Sequence, residues 1–517
     1  MRVANAVRPR LASAASAAGP RVARLVRAVR RGPAHLPRTR TARTWQLTAG
    51  AATAGLALAA GMVAAAGPWD ADGQRTAERD RAAALERPGG ADHGGSGTIA
   101  GAPRPAPSAA AVLAGLGGAT GAVTTKKAPP AATALGDALE PLLAAPALSH
   151  GHSAAVVDVG TGKLLYGART GDALTPASTT KIATAVAALS ALGPDHRLTT
   201  RAALEPDTHE LVLVGGGDPT LTAHPKAGGW ASLRTLAAGT ATALKQRGIH
   251  KITLSYDTTL YSGPAVHPIG VNDNLAPVSP LTADEGRTDA SDHGPVARVA
   301  DPAATTAGTF AGFLKAAGIT TTSPGPSKAT GRARTLASVS SPPLSALVER
   351  MLTNSDNDIA EALARQTALA SGRPASFDGG AKAVAAQLGR LGLPTAGASF
   401  HDGSGLDRDD RLTANLLTAL LVKAADPARP GLRPVLTGLP VAGFTGTLAA
   451  RYADGAAGVV RAKTGTLTGV NTLAGTVVDR DGRLLAFAFM ASGTTDPLAA
   501  QAALDRTATA LAGCGCG

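Results

Sequence analysis

Residues 178–192 read STTKIATAVAALSAL: a polar opening, Ser178 to Lys181, runs into an apolar stretch that stops at Gly193-Pro194. The apolar repeat and the Gly-Pro stop predict a helix over 179–192. On such a helix the i, i+3 spacing puts the Lys181 ammonium beside the Ser178 hydroxyl, on one face. A serine hydroxyl is a weak nucleophile until a base takes its proton, and a buried lysine among other cations has its pKa lowered toward that task. The N-terminus of the helix also offers backbone N–H groups to a developing oxyanion. An S-x-x-K string alone is weak evidence. Among the chain's twelve lysines, however, only Lys181 has a serine three residues before it.

Two more strings follow in the chain. Ser355-Asp356-Asn357 falls between stretches predicted as helices over 344–352 and 358–370. There a second hydroxyl can relay a proton to a leaving group, and the Asn357 amide can hold a peptide carbonyl. The bland alternative is a helix cap, a position all three residue types favour. Lys463-Thr464-Gly465 ends a Val-rich strand. An edge strand can pair with an extended peptide, and Gly465 would let that peptide approach the backbone. Lys463 and Thr464 can then bind a terminal carboxylate. Arg169-Thr170-Gly171 looks similar but precedes the nucleophile, so order and context give the triplet its meaning.

Outward from these strings, 153–158 and 163–166 flank Gly160-Thr161-Gly162 as a hairpin. Strands are predicted at 211–214 and 251–256, with helices near 232–246 and 303–317. Helices return at 380–391 and 413–425, and strands at 459–463, 469–478 and 484–491, the last two joined by the Asp481-Gly482 turn signal. A helix over 497–511 closes the chain. Strands at both ends with helices between them predict an α+β core whose sheet pairs the first and last strands.

At 517 residues the chain exceeds one typical core. Its net charge of +13 is unevenly placed: residues 1–69 hold eleven Arg and no Lys, Asp or Glu. That arm lacks aromatic interleaving and any helix-turn-helix pattern, which argues against a nucleic-acid partner. It precedes an uncharged segment over 47–67, roughly the ~20 residues a membrane span requires. A basic cytoplasmic arm (1–46) before an anchor is the expected layout. Ala64-Ala65-Ala66 also permits a cleaved signal, and then a secreted protein. Residues 68–135 are rich in Ala, Pro and Gly and read as a disordered linker. Cys514 and Cys516, the only cysteines, lie in the tail 514–517, expected to be solvated. The histidines form no metal-ligand pattern, and no metal or other cofactor is expected.

With these strings in order, the chain resembles the serine penicillin-recognising enzymes. Ser355 lies 177 positions after Ser178 (355 − 178), an interval much longer than a β-lactamase has. That length resembles the low-molecular-mass class C penicillin-binding proteins, the DacB-like D-alanyl-D-alanine carboxypeptidase/endopeptidase family. Gly217-Asp-Pro-Thr-Leu221, Tyr256-Asp257-Thr-Thr-Leu260, His401-Asp-Gly-Ser-Gly-Leu406 and the stretch 439–448, LPVAGFTGTL, agree with it.

The resemblance implies a penicillin-binding-protein/β-lactamase-like transpeptidase core, an antiparallel sheet flanked by helices. That core would span 136–196 and 341–513, with accessory domains inserted over 197–340. It implies an extracytoplasmic enzyme acting on peptidoglycan stem peptides and inhibited by β-lactams. Ser178 would be acylated and Lys181 would be the general base. Ser355 and Asn357 would shape the relay, and Lys463, Thr464 and Gly465 would line the substrate strand. Thr466 and Ser178 N–H groups would form the oxyanion hole. Asp273 and Arg408 would meet the diamino-acid end of the substrate. Two rival readings are a β-lactamase-like hydrolase, which needs a deacylating carboxylate after the nucleophile helix, and a catalytically silent wall-binding protein, which has no need of Ser178.

Overall fold

Strands from the two ends of the folded chain form one sheet in the computed structural model, which describes residues 132–452 and 455–514. β1 (Gly151–Asp158) and β2 (Leu164–Ala168) form the first hairpin. β9 (Val460–Leu467), β10 (Val470–Val478) and β11 (Leu484–Ser492) follow one another near the C-terminus. The five strands are ordered β2-β1-β11-β10-β9. β1 runs antiparallel to β11, Ala155 opposite Ala488, so the first and last strands pair as the α+β reading requires.

β11 shows why both faces of this sheet are covered. Leu485, Phe487 and Phe489 enter one core with α1 (Ala132–Leu143) and α10 (Pro497–Gly513). Ala486, Ala488 and Met490 alternate with them and enter the other core, with α2 (Thr180–Leu192) and α8 (Ala414–Ala425). The alanines let α8 pack onto this face, and α2 lies in the same core. Ten of its thirteen residues are buried, and a helix apolar on nearly all sides belongs inside a core. Lys181 is carried into the interior by its neighbours.

The segment between α2 and the next core helices builds a second sheet. β3 (Thr199–Leu204), β4 (Glu210–Val214), β5 (Lys251–Asp257), β6 (Thr320–Thr321), β7 (Gly325–Pro326) and β8 (Arg334–Ser340) contribute to it, in the order β6-β5-β4-β3-β8 with β7 on β5. α3 (Leu233–Lys245) and α4 (Pro302–Ala316) are capped by Ser232 and Asp301. They pack with Leu213 and Leu254 in a core of their own, to which α4 contributes Phe310. The two ends of the segment meet where Thr199 pairs with Ser340, and Ser341 N–H donates to Leu198 O at 2.8 Å. The chain thus returns to where it left. It sets α5 (Leu344–Asn354), α6 (Asn357–Ala370) and α7 (Phe377–Arg390) against α2. A short α9 (Pro434–Thr437) completes that layer.

The cysteine tail departs from expectation at its first residue: Cys514 is buried beneath α10 and is disulfide-bonded rather than solvated. The basic arm, the 47–67 segment and residues 68–131 of the expected linker lie outside the described residues. Among the described residues, no helix is long and apolar enough to cross a membrane.

Candidate active site

Ser178 sits in a 3-10 turn, Ala177–Thr179, that leads straight into α2. Ala177 before it is left-handed, φ +49°, a conformation that costs a non-glycine residue roughly 1–3 kcal/mol and persists only where the surroundings impose it. Here they do. Thr472 Oγ1 on β10 donates to Pro176 O at 2.8 Å, and Thr179 Oγ1 to the same carbonyl at 2.7 Å. Gly465 on β9 lies directly on the turn: a Cβ there would be 2.6 Å from Pro176 O and 3.1 Å from the Ala177 Cβ. The sequence suggested that Gly465 admits substrate; in the structure its Cβ direction faces the turn that carries Ser178. Gly465→Ala should therefore shift the turn, with an overpacking cost of about 1–3 kcal/mol and roughly ten- to hundredfold slower Ser178 acylation. Thermal unfolding and a stopped-flow acylation assay check the two effects separately.

Lys181 is wholly buried. Its Nζ donates to Ser178 Oγ at 3.1 Å, Asn357 Oδ1 at 2.6 Å and Ser404 O at 2.6 Å. Burial pushes the ammonium down to about 8, against the pull of the Asp402, Glu361, Asp356 and Asp410 carboxylates. The sequence reading named like charge as a cause of this lowering. In the structure burial lowers Lys181, and the like-charge effect is felt by Lys463. That second lysine is also wholly buried. Burial, then the charges of Lys181 and Arg451, hold it well below the usual lysine range.

The Ser355-Asp356-Asn357 string divides the two roles considered for it. Asp356 is the cap of α6, accepting from Ile359 N–H at 3.0 Å. Ser355 closes α5 in a left-handed conformation, φ +60°, and its Oγ accepts from Lys463 Nζ at 2.9 Å. Asn357 points its Oδ1 at Lys181. Two serine–lysine pairs thus face one another, linked through α2, α6 and β9.

β9 is the edge of the first sheet. Ala462 N–H donates outward to Pro440 O at 3.0 Å. Strand alternation puts the backbone groups of Thr464 and Thr466 on that same outer side. Thr464 Oγ1 meets Thr447 Oγ1 at 3.0 Å, while Lys463 Nζ also donates to Thr464 O at 2.7 Å. Arg408 is exposed and donates to Thr468 O at 2.8 Å, just beyond the end of β9. Asp273 is exposed beside Asn274, whose carbonyl accepts from Asn357 Nδ2 at 2.9 Å.

Sequence reasoning did not assign the floor of this site. The 401–406 string was noted, but not that Ser404 O binds Lys181. Nor does anything in the sequence mark His267, Glu361 or Asn274. His267, Glu361 and Asp402 converge in one buried group, and Glu285, Asp356 and Asp358 in another. Protein donors engage most of these groups, while Asp356 Oδ2 is left without a hydrogen-bond partner among the described residues. Asp402 accepts from Ser404, Gly405 and Asp407 N–H groups and meets His267, and these outweigh burial to hold it at about 2. Arg287 and Arg350 pair with Glu285, and Arg298 with Asp358.

This geometry has relatives. The profile of the D-Ala-D-Ala carboxypeptidase 3 (S13) family matches residues 135–294 and 285–511. Carboxypeptidase DacB of Mycolicibacterium smegmatis is 40% identical over 377 residues, covering 70% of this chain and 80% of its own. A D-alanyl-D-alanine carboxypeptidase of an Actinomadura species is 30% identical over 459 residues, 72% of this chain and 84% of its own. Among solved structures, penicillin-binding protein 4 (dacB) of Haemophilus influenzae shares the fold, with a TM-score of 0.59 at 22% identity, covering 72% of this chain and 97% of that one. With a profile match across both sheets and relatives of this identity and coverage, the chain belongs to the D-Ala-D-Ala carboxypeptidase 3 (S13) family.

Proposed function

We propose that this chain is a serine D-alanyl-D-alanine carboxypeptidase/endopeptidase that trims peptidoglycan stem peptides through an acyl-enzyme on Ser178. One observation carries the reading: a wholly buried lysine, lowered to about 8, holds its Nζ 3.1 Å from Ser178 Oγ. Neutral Lys181 takes the Ser178 proton as Oγ bonds to the carbonyl carbon of the penultimate D-Ala. The Ser178 and Thr466 N–H groups hold the oxyanion. The C–N bond then breaks, and the proton Lys181 gained passes to the departing amine through Ser355, the partner of Lys463, leaving Lys181 neutral again. Water hydrolyses the ester and frees Ser178. Thr464 and Lys463 hold the terminal carboxylate, and the β9 edge pairs with the peptide backbone. Asp273 and Arg408 meet the diamino-acid end. In an endopeptidase turnover the departing amine belongs to the neighbouring stem.

A β-lactam enters the same route, but its leaving amine stays tethered and the ester persists. The folded part is extracytoplasmic, where its polymer lies. The 47–67 segment serves as membrane anchor or cleaved signal behind the basic arm, and residues 197–340 act as the accessory part.

The pH dependence tests the role of Lys181. The active base is the neutral amine, so acylation should rise by roughly tenfold per pH unit below about 8 and then level off. Release of D-Ala from a peptide ending in D-Ala-D-Ala, measured from pH 6 to pH 10, checks it. A rate that is flat across that range contradicts the assignment.

A further inference from the structure

A lysine ammonium has three N–H donors, and three acceptors surround Lys181 Nζ: Ser178 Oγ, Asn357 Oδ1 and Ser404 O. An amide can present either of its ends, so something must turn the Asn357 oxygen toward Nζ. The far end of the amide does this. Asn357 Nδ2 donates to Asn274 O at 2.9 Å. A carbonyl cannot donate, so this contact keeps Nδ2 on Asn274 and leaves Oδ1 for Lys181. Asn274 lies in the second-sheet segment, in a turn where Asn272 bridges to Leu275 and Asn272 Oδ1 accepts from Asn274 N–H at 2.9 Å. Those bonds shape the turn without attaching it to α6.

Attachment comes from Asp358, the residue after Asn357 in the first turn of α6. Its side chain is 8% exposed. Oδ1 accepts from Ala276 N–H at 3.0 Å, two residues beyond the carbonyl that holds Asn357. Oδ2 accepts from Arg298 Nη1 at 2.9 Å, and the same nitrogen donates to Glu285 O at 2.6 Å. Successive side chains of one helix turn therefore grip one loop at two nearby points, Asn357 at Asn274 and Asp358 at Ala276.

We propose that Asp358 is a positioning residue for acylation: by holding Ala276 N–H it keeps the Asn274 carbonyl on Asn357, and so aims Asn357 Oδ1 at Lys181. The proposal rests on the acyl-enzyme reading above. Its sign follows from the form of the lysine that Oδ1 serves. An oxygen acceptor stabilises the ammonium more than the neutral amine. With the turn released, the amide is free to rotate and the ammonium loses one of its three acceptors. The neutral base then forms at lower pH, while its nitrogen is held less well. The charges facing Lys181 are Asp402, Glu361, Asp356 and Asp410, with Lys463 as the opposing cation. Removing Asp358 together with Arg298 touches none of them and takes away one charge of each sign.

The test uses the full-length chain, benzylpenicillin acylation from pH 6 to pH 10 and thermal unfolding. It compares wild type, Arg298→Met, and the double variant Asp358→Leu with Arg298→Met. The pair is changed together because Asp358→Leu alone would strand a buried guanidinium. Benzylpenicillin carries no diamino acid, so a displaced Asp273 in the same turn does not enter its rate. The double variant should move the rising limb of the pH profile down by about one pH unit and lower the plateau about tenfold. Arg298→Met keeps Asp358 on Ala276. Its limb should stay at the wild-type pH or rise, since an unpaired carboxylate favours the ammonium. A purely structural Asp358 would lower the melting temperature and leave the limb of the double variant unmoved, and that result overturns the proposal. An equal downward shift in Arg298→Met overturns it too, because the Ala276 bond is retained there. If the double variant does not fold, Ala276→Pro decides: it removes the donor itself and should lower the limb in the same way, and an unmoved limb overturns the proposal. A wild type that benzylpenicillin does not label overturns the acyl-enzyme reading itself. A labelled wild type with an unmoved limb in the double variant overturns only the role of Asp358.

Discussion

Ser178→Ala should leave a folded protein that releases D-Ala from a D-Ala-D-Ala peptide on the order of 10⁴- to 10⁶-fold more slowly, the usual scale for removing a nucleophile. The large effect follows from the site's dependence on one covalent step. On the proposed mechanism Lys181, Ser355 and Lys463 handle protons around Ser178 Oγ, and without that oxygen they would have nothing to activate. Folding should survive. Ser178 is only half-buried, and the turn around it is held by Thr472, Thr179, Gly465 and Gly405 rather than by its own hydroxyl. Circular dichroism and a melting curve beside the D-Ala assay separate the two effects. A variant that is folded and retains a tenth of wild-type turnover contradicts the nucleophile assignment.

Lys181→Arg should retain the positive charge and lose acylation by about 10²- to 10⁴-fold, the range over which a positioned base contributes. A guanidinium is not deprotonated at working pH, so it cannot accept the Ser178 proton. The buried site is also built for a single nitrogen held between Ser178 Oγ, Asn357 Oδ1 and Ser404 O. A planar fork does not fit that arrangement. The benzylpenicillin acylation rate, with and without raised pH, is the readout. A near wild-type rate would move the role of base to Lys463, which reaches the site through Ser355 at 2.9 Å.

The parts of the fold legible in the sequence were those with strong local signals. The apolar run of α2 with its Gly-Pro stop, the Asp481-Gly482 turn between β10 and β11, and the Pro-led final helix all fall within a few residues of expectation. β3 and β8 were missed because TTRAAL and RTLASVS have weak alternation; they become strands through pairing with each other across the second-sheet segment. The site followed the same division. Ser178 and Lys181 could be joined because helical spacing joins them. Ser404 and His267 could not, since their partners are 223 and 135 residues away and only tertiary packing brings them together. At Gly465 the close neighbours a side chain would strike, Pro176 and Thr472, lie on other elements, so their contact was not legible in the local sequence.

The central claim is that Ser178 becomes covalently acylated with Lys181 as its base. Intact-mass measurement of the full chain after incubation with benzylpenicillin, followed by peptide mapping, tests it most directly. The account predicts one penicilloyl group per chain, on the peptide that contains Ser178, formed faster as the pH rises through about 8 and absent from Ser178→Ala. An adduct on any other residue, or an unmodified wild-type chain with Ser178 intact, would contradict it.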